Sequence, residues 1–357
     1  MRWLVLAALL AAVGTPADAM AQPLPAREAE QARVVFPDSV QQGAMVLGKV
    51  PAGSRVSYDG RDLRVTGYGT VVFGIGRDAS GPARVTVTPP GAPPRTVEIA
   101  VTPRDWPLQR VDGVPPATVD PPPEVAERIR REQALVAAAR VDDTPRTGFA
   151  QHFIQPVEGR ISGRFGRARV YNGKPGSPHS GMDIAAPRGT AIRAPADGVV
   201  TLAEPDLYIT GGTVLIDHGH GIGSNFLHLS RLDVATGDEV KQGQVIGAVG
   251  ATGRATGPHL HWGMTWFDVR IDPQLVLARA AGSPVPGTRV VVPPRAGAGE
   301  RIRIVAPPGS RVAFEGAQAI VPAAGELELE APAAPGEAEL VVERPGTSRL
   351  VFRIAID

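Results

Sequence analysis

Two histidines separated by one leucine, His259-Leu260-His261, carry the strongest chemical signal in the sequence. On a β-strand successive side chains alternate between faces, so His259 and His261 point to one side while Leu260 packs on the other. Paired imidazoles on an open sheet face are costly core material and good metal ligands. The stretch before them, Thr252-Gly253-Arg254-Ala255-Thr256-Gly257-Pro258, reads as a loop that delivers the strand to a site. Upstream, His179 and Asp183 stand four positions apart. Helical spacing would also bring them together, but Pro178, Gly181 and Pro187 argue against a helix. The expected arrangement is an extended loop running into a strand, with both side chains turned toward the sheet. One carboxylate and two imidazoles match the donor set of a catalytic zinc site with a fourth position open to water. Co²⁺ and Mn²⁺ also suit such donors.

The segments around these residues predict the scaffold. From Phe153 onward Val199-Val200-Thr201-Leu202, Thr213-Val214-Leu215-Ile216-Asp217, Asn225-Phe226-Leu227-His228-Leu229, Val245-Ile246-Gly247 and His259 to Thr265 are strand-like. Gly-rich links such as Gly219-His220-Gly221-Ile222-Gly223 join them, and no helical period occurs between Gly159 and Trp266. A compact, nearly all-β domain is expected. Asp197, Asp217 and Asp238 read as turn or capping residues, His152 as structural, and His218 and His220 as a hairpin next to the site. Gly74-Ile75-Gly76 and Gly219-His220-Gly221 are fragments of a phosphate-loop pattern, but neither opens a helix, so no nucleotide is expected.

Five pieces, in order, resemble the lysostaphin/LytM family of zinc endopeptidases. They are His179-Ser180-Gly181-Met182-Asp183-Ile184-Ala185-Ala186-Pro187, Ala194-Pro195-Ala196-Asp197-Gly198-Val199-Val200, Asp217-His218-Gly219, Phe226-Leu227-His228-Leu229-Ser230 and Thr256-Gly257-Pro258-His259-Leu260-His261-Trp262. The resemblance covers roughly Ile154 to Leu277, with Phe226 where relatives often carry Tyr. It implies His179, Asp183 and His261 as the metal ligands, and His228 and His259 as a non-ligand catalytic pair. It also implies hydrolysis of peptide bonds in peptidoglycan stem peptides or cross-links by a zinc-activated water. His259 is then the choice for general base, and His228 for orienting the water or stabilising the oxyanion, although the two roles are interchangeable on sequence alone. Some relatives have lost ligands and activate other wall enzymes, so a non-catalytic wall-binding protein or activator of amidases is the alternative. All five positions are kept here.

Flanking this domain, short alternating runs between Val34 and Val101 predict a small antiparallel β-unit. A related unit returns at the other end. Pro51-Ala52-Gly53-Ser54-Arg55-Val56-Ser57-Tyr58-Asp59-Gly60 matches Pro307-Pro308-Gly309-Ser310-Arg311-Val312-Ala313-Phe314-Glu315-Gly316 nearly position by position. Between the first unit and the peptidase lies a proline-rich connector, and Pro123 opens one helix, Glu124 to about Arg140. The chain is thus expected to be mostly β, with a central LytM-type antiparallel β-sheet peptidase domain, two small flanking β-sandwich modules and one connecting helix. The expected bounds are 1–21 signal peptide, 30–104 N-terminal module, 105–147 linker and helix, 148–280 peptidase domain and 288–357 C-terminal module. The N-terminal module or the helix could also hold the enzyme inactive across its groove, and trimming to Thr147 is the test of that reading.

Bulk properties bound the partners. Met1-Arg2 followed by an apolar run to Val13, with small residues at Ala17-Asp18-Ala19 and Ala19-Met20-Ala21, predicts a cleaved export signal and no stable membrane insertion afterwards. A net charge of +1 gives no electrostatic case for nucleic acid. Gly 42 and Pro 36, about a fifth of the 357 residues, favour short strands and many turns. No cysteine is present, so neither disulfides nor thiolate metal sites arise. The expected location is periplasmic or secreted. With no sorting tail before Ile354-Ala355-Ile356-Asp357, the Gram-negative periplasm is preferred, and a D-alanyl–diaminopimelate cross-link over a Gly-Gly bridge.

Overall fold

Short apolar-alternating runs bounded by turn residues form the first unit. β1 (Ser39–Gln41), β3 (Arg55–Tyr58), β4 (Arg61–Leu63), β6 (Ala83–Thr88) and β7 (Arg95–Thr102) make a five-stranded sheet of order β1-β7-β6-β3-β4. β2 (Met45–Lys49) and β5 (Thr70–Gly74) make a second, two-stranded sheet. Alternation decides which side is core: Ala83, Val85 and Val87 of β6 are buried and the residues between them are not. The computed structural model describes residues 34–357 except 68, 141–142, 279–289, 291, 307–308, 323–325 and 344–348. The export signal expected over 1–21, and Pro307-Pro308 of the second repeat copy, lie outside the described residues.

β8 (Gln109–Val111) belongs to the connector, and α1 (Pro123–Ala138) is the helix expected from Glu124 to about Arg140. No residue of α1 is buried, but Val136 and the following Ala139 rest on Leu202, Leu207 and Leu215. Glu132 accepts from the backbone N–H of Tyr208 at 2.7 Å and from Arg128 at 2.6 Å, fixing the helix to the sheet.

The central sheet is built from β9 (Arg160–Gly163), β12 (Met182–Ala185), β14 (Gly198–Leu207), β15 (Gly211–Gly219), β16 (Ile222–Leu229), β18 (Glu239–Val240), β20 (His259–Trp266) and β21 (Val269–Ile271). Its order is β18-β14-β15-β16-β20-β12-β9, with β21 also on β20. Small sheets edge it. β10 (Arg169–Tyr171) lies between β11 (Lys174–Gly176) and β8, and β19 (Val245–Ala248) lies between β13 (Ala191–Arg193) and β17 (Arg231–Leu232). β8 runs parallel to β10, so the connector is strapped beside the sheet. A second short helix, α2 (Pro273–Leu277), was not expected. Asp272 caps it by accepting from the Gln274 N–H at 2.9 Å, and five residues are too few to show a helical period.

In the last unit β22 (Arg295–Ala296), β24 (Arg311–Phe314), β25 (Ala317–Ile320), β27 (Gly336–Glu343) and β28 (Arg349–Ile356) form a sheet of order β22-β28-β27-β24-β25, and β23 (Arg301–Val305) pairs with β26 (Glu326–Glu330). This is the strand order of the first unit. Each copy has a parallel pair at one edge, β1 on β7 and β22 on β28. Each closes its repeat hairpin with two positive-φ residues, Asp59-Gly60 (49° and 73°) and Glu315-Gly316 (48° and 81°). That is the type I′ turn whose twist suits a two-residue hairpin.

The two units differ in what they pack against. The first shares one apolar core with the central sheet, whereas the last has its own. Phe73 and Tyr58 meet Trp266 with ring centroids 6.4 and 5.8 Å away, and the Arg61 guanidinium sits 3.9 Å over the Phe267 ring. Arg104 reaches the fully buried Asp272 carboxylate at 2.9 Å. No helix among the described residues is long and apolar enough to cross a membrane.

Candidate active site

β12 and β20 pair antiparallel with Asp183 opposite His261 and Ala185 opposite His259. Directly opposed residues share a face, so the register alone puts the carboxylate beside both imidazoles. His179 arrives from the loop before β12, its backbone fixed by N–H donation to the Arg167 carbonyl at 2.9 Å. Two glycines make the close approach: a Cβ at Gly181 would lie 2.4 Å from the Trp262 carbonyl oxygen, and one at Gly163 would lie 2.2 Å from Asp183 Oδ2. His228 obeys a different rule. Leu227 pairs with His261, so simple alternation would send the next side chain to the opposite face. A φ of 69° at His228 reverses that turn and sets its ring 4.9 Å from His259 and 6.3 Å from His261.

Three atoms converge. His179 Nε2 lies 2.9 Å from Asp183 Oδ1 and 3.0 Å from His261 Nδ1, and His261 Nδ1 lies 2.8 Å from the same Oδ1. His179 Nδ1 faces the Arg164 carbonyl at 2.9 Å, an acceptor, so that nitrogen carries the proton and Nε2 presents a lone pair. His261 Nε2 has Ser180 Oγ at 3.4 Å, which allows its proton to sit outward as well. Atoms this close need a positive charge or a shared ring proton among them. An oxygen and two imidazole nitrogens, all buried, are a donor set that fits Zn²⁺.

Burial would raise the Asp183 carboxyl, but hydrogen bonding and charge from the His179 and His261 rings outweigh it and hold it well below the usual carboxylate range. Burial, partly offset by Asp183, lowers His261 to about 4. Burial, reinforced by the neighbouring His259 and His261, lowers His228 to about 3. Both rings are therefore neutral at neutral pH. His228 is steered through Nδ1 by the Thr252 carbonyl at 2.7 Å, and His259 through Nδ1 by the Gly257 carbonyl at 2.8 Å. Their Nε2 atoms are left for the groove, a cleft of about 1070 Å³ bounded by the sheet, the loop 254–258, Tyr171 and the first unit's Tyr58, Asp59 and Arg77.

The sequence did not single out Arg169. Its Nη2 donates to Asp183 Oδ2 at 2.8 Å, leaving Oδ1 to face the histidines. The available signal was Asn172-Gly173, whose φ values of 47° and 83° close the β10–β11 hairpin that carries it. Such partners hold a ligand carboxylate in orientation. Arg169→Met is expected to weaken zinc binding about 10- to 100-fold in a chelator competition, with thermal unfolding of the metal-free protein little changed.

One expectation needs correction. His218 and His220 do form a hairpin, but it lies at the other end of β20, five residues beyond His261, roughly 17 Å of strand rise from the site. His218 is fully buried with its nitrogens 2.8 Å from the Asp197 carbonyl and 2.9 Å from Ser224 Oγ. Asp217 caps a turn as expected, accepting from the Gly219 N–H at 2.8 Å and from the Thr144 hydroxyl, and it is buried at the end of β15. Asp197 and Asp238 do hold turns, accepting from the N–H groups of Gln242 and Ala235.

Burial pushes His218 from 6.5 down to about 4. A folded-state pKa below the unfolded one means the contribution to stability is complete above pH 6.5 and is lost as pH falls toward about 4. Metal-free protein should therefore lose on the order of 3 kcal/mol per such histidine across that window. His218→Gln is expected to flatten the slope in urea unfolding measured from pH 7 to 4; an unchanged slope would show that His218 does not carry it.

Residues 177–273 match the sequence profile of Peptidase family M23. DD-carboxypeptidase/endopeptidase Mpg of Neisseria meningitidis serogroup B is 44% identical over 109 residues, 30% of this chain and 24% of Mpg. Peptidoglycan DD-endopeptidase ShyA of Vibrio cholerae is 43% identical over 104 residues, 29% of this chain and 24% of ShyA. The matched stretch thus spans about a quarter of these curated relatives. A crystal structure assigned to peptidase M23 from Pseudomonas aeruginosa is 32% identical, with a TM-score of 0.53, over 70% of this chain and 98% of that one. Near-complete coverage of that structure, together with the profile match over the segment that brings His179, Asp183 and His261 together, shows that the chain belongs to peptidase family M23.

Proposed function

We propose that this chain is an exported zinc-dependent endopeptidase that hydrolyses peptide bonds in peptidoglycan stem peptides or cross-links. In this reading His179, Asp183 and His261 hold the metal, and His228 and His259 handle protons. The observation that carries it is the buried cluster of three acceptor atoms within 3.0 Å of one another, with two further imidazoles beside it at the edge of a groove. When bound, zinc supplies Lewis-acid polarisation of the scissile carbonyl and acidifies a water. Arg169 holds the Asp183 carboxylate in orientation through its contact with Oδ2. His259, whose side chain is 17% exposed, presents Nε2 to the groove and accepts the proton of the attacking water. It then returns that proton to the leaving amine. His228, neutral and fixed by the Thr252 carbonyl, orients the water or the developing oxyanion.

The relatives' names, which specify DD-endopeptidase action, favour a D-alanyl cross-link as the bond cut. Export rests on the apolar run at residues 3–13. The units around 30–104 and 288–357 are proposed as modules flanking a peptidase domain over 148–280. Purified protein incubated with sacculi should release peptides with new amino termini, detected by mass spectrometry, in a zinc-dependent manner. If zinc-loaded protein released none, and stoichiometric metal were nonetheless bound, a non-catalytic wall-binding role would replace the hydrolase.

A further inference from the structure

Two guanidinium groups lining the groove, Arg254 and Arg270, have no carboxylate partner among the described residues. Among the cations lining it, Arg169 is paired with Asp183 and Arg77 with Asp78, while Arg270 reaches the Asn225 side chain at 3.5 Å. Arg254 differs. Among the described residues its side chain makes one hydrogen bond, from Nη1 to the backbone carbonyl of Thr118 at 3.1 Å, and its guanidinium lies 4.3 Å from the Tyr171 ring centre. Among the described residues no acidic group forms an ion pair with it. A guanidinium has five N–H donors in a planar fork, so most of its donor capacity is unspent.

Its placement is not casual. Arg254 stands on the loop that aims both imidazoles: Thr252 supplies the carbonyl bonded to His228, and Gly257 the carbonyl bonded to His259. The Arg254 backbone N–H donates to the Ile209 carbonyl at 2.8 Å, and Thr252 Oγ1 donates to the Leu229 carbonyl at 2.9 Å. A charge on this anchored loop keeps a set distance from the rings that would act on a bound peptide. Its present acceptor, an uncharged peptide carbonyl of the connector, is a weaker partner than a carboxylate, which can take the fork in bidentate fashion.

We propose that Arg254 is a specificity-determining residue that receives a carboxylate of the substrate peptide flanking the scissile bond, displacing the Thr118 carbonyl. This rests on the peptidase reading above and narrows its substrate class to acidic peptides. A D-alanyl–diaminopimelate linkage carries such a carboxylate; an uncharged glycine bridge does not.

The test uses full-length zinc-loaded protein and two probes: a D-alanyl–diaminopimelate cross-linked peptide with free carboxylates, and the same peptide with those carboxylates amidated. Binding is measured by calorimetry in a His259→Ala background, where turnover does not interfere. The acid form is expected to bind about 10- to 100-fold more tightly than the amide. Arg254→Met should bring the acid down to the level of the amide and leave amide binding unchanged, while Arg254→Lys keeps part of the preference. Equal binding of the two probes, equal weakening of both by Arg254→Met, or no binding of either would overturn the proposal. Turnover is followed separately with His259 intact. Carboxylate-selective binding without cleavage would remove the hydrolase reading and leave the assignment of Arg254 standing, whereas cleavage indifferent to amidation and to Arg254→Met would do the reverse.

Discussion

His261→Ala is expected to abolish stoichiometric zinc binding and to lower cleavage of wall peptides by at least about a thousandfold. The size follows from geometry. His261 Nδ1 is one of three buried donor atoms within 3.0 Å of one another, and no other donor among the described residues joins that set. Removing it leaves His179 and Asp183, two ligands where a catalytic site needs three. The Asp183 carboxylate also loses a partner whose contact helps keep it ionised against its own burial. His152→Ala is the control, because His152 lies outside the cluster and accepts a hydrogen bond from Gln242 at 2.6 Å through its backbone carbonyl, which the substitution keeps. Metal content by elemental analysis and peptide release from sacculi are the readouts. A His261→Ala protein with one equivalent of zinc and an undiminished rate would remove His261 from the ligand set.

Much of this site was legible because sheet geometry is periodic. His259 and His261 differ by two positions, so any strand assignment puts them on one face. Asp183 joins them through strand register, which the sequence does not print but the Pro178 and Gly181 signals made compatible with a strand. His228 was harder. Alternation counted from Leu227 points it away from the site, and only its positive φ of 69° brings it back. That was recoverable from motif resemblance and not from periodicity. For Arg169 the sequence offered only the Asn172-Gly173 turn and not its partner, since its role depends on the β10–β11 hairpin folding over Asp183.

The same contrast holds at the scale of the whole chain. The repeat at Arg55-Val56-Ser57-Tyr58-Asp59-Gly60 and Arg311-Val312-Ala313-Phe314-Glu315-Gly316 announced two units of one topology, because an I′ turn leaves an Asx/Glx-Gly signature in sequence. It did not announce that only the first unit merges its core with the central sheet. That difference is carried by contacts between distant segments, such as Arg104 with Asp272 and Phe73 with Trp266, for which no local pattern exists. One functional result of the merger is that Tyr58, Asp59 and Arg77 become part of the groove wall. On the proposed function the central sheet would supply the reacting groups, and the first unit would help to shape what can reach them.

The second large effect concerns the two imidazoles outside the ligand set. His259→Ala and His228→Ala are each expected to lower kcat about 10²- to 10⁴-fold while zinc stays at one equivalent. Retention of the metal separates them from His261→Ala. Their local chemistry is alike: each ring gives its Nδ1 proton to a carbonyl of the same loop and leaves Nε2 toward the groove. Their surroundings are not alike. Burial and two neighbouring imidazoles lower His228 to about 3, so its protonation cannot produce a loss of rate between pH 7 and 5. The sign is fixed by that depression: the neutral form of His228 persists throughout this window and is lost only as pH falls through about 3. An acid limb of kcat/KM in the window should therefore survive His228→Ala, even though the absolute rate falls. The rings stand 4.9 Å apart and would serve the same step, so the double variant should cost less than the product of the two single losses. Multiplicative losses, or an acid limb that vanishes with His228, would show that the two rings act on separate steps or that the proton acceptor has been assigned to the wrong one.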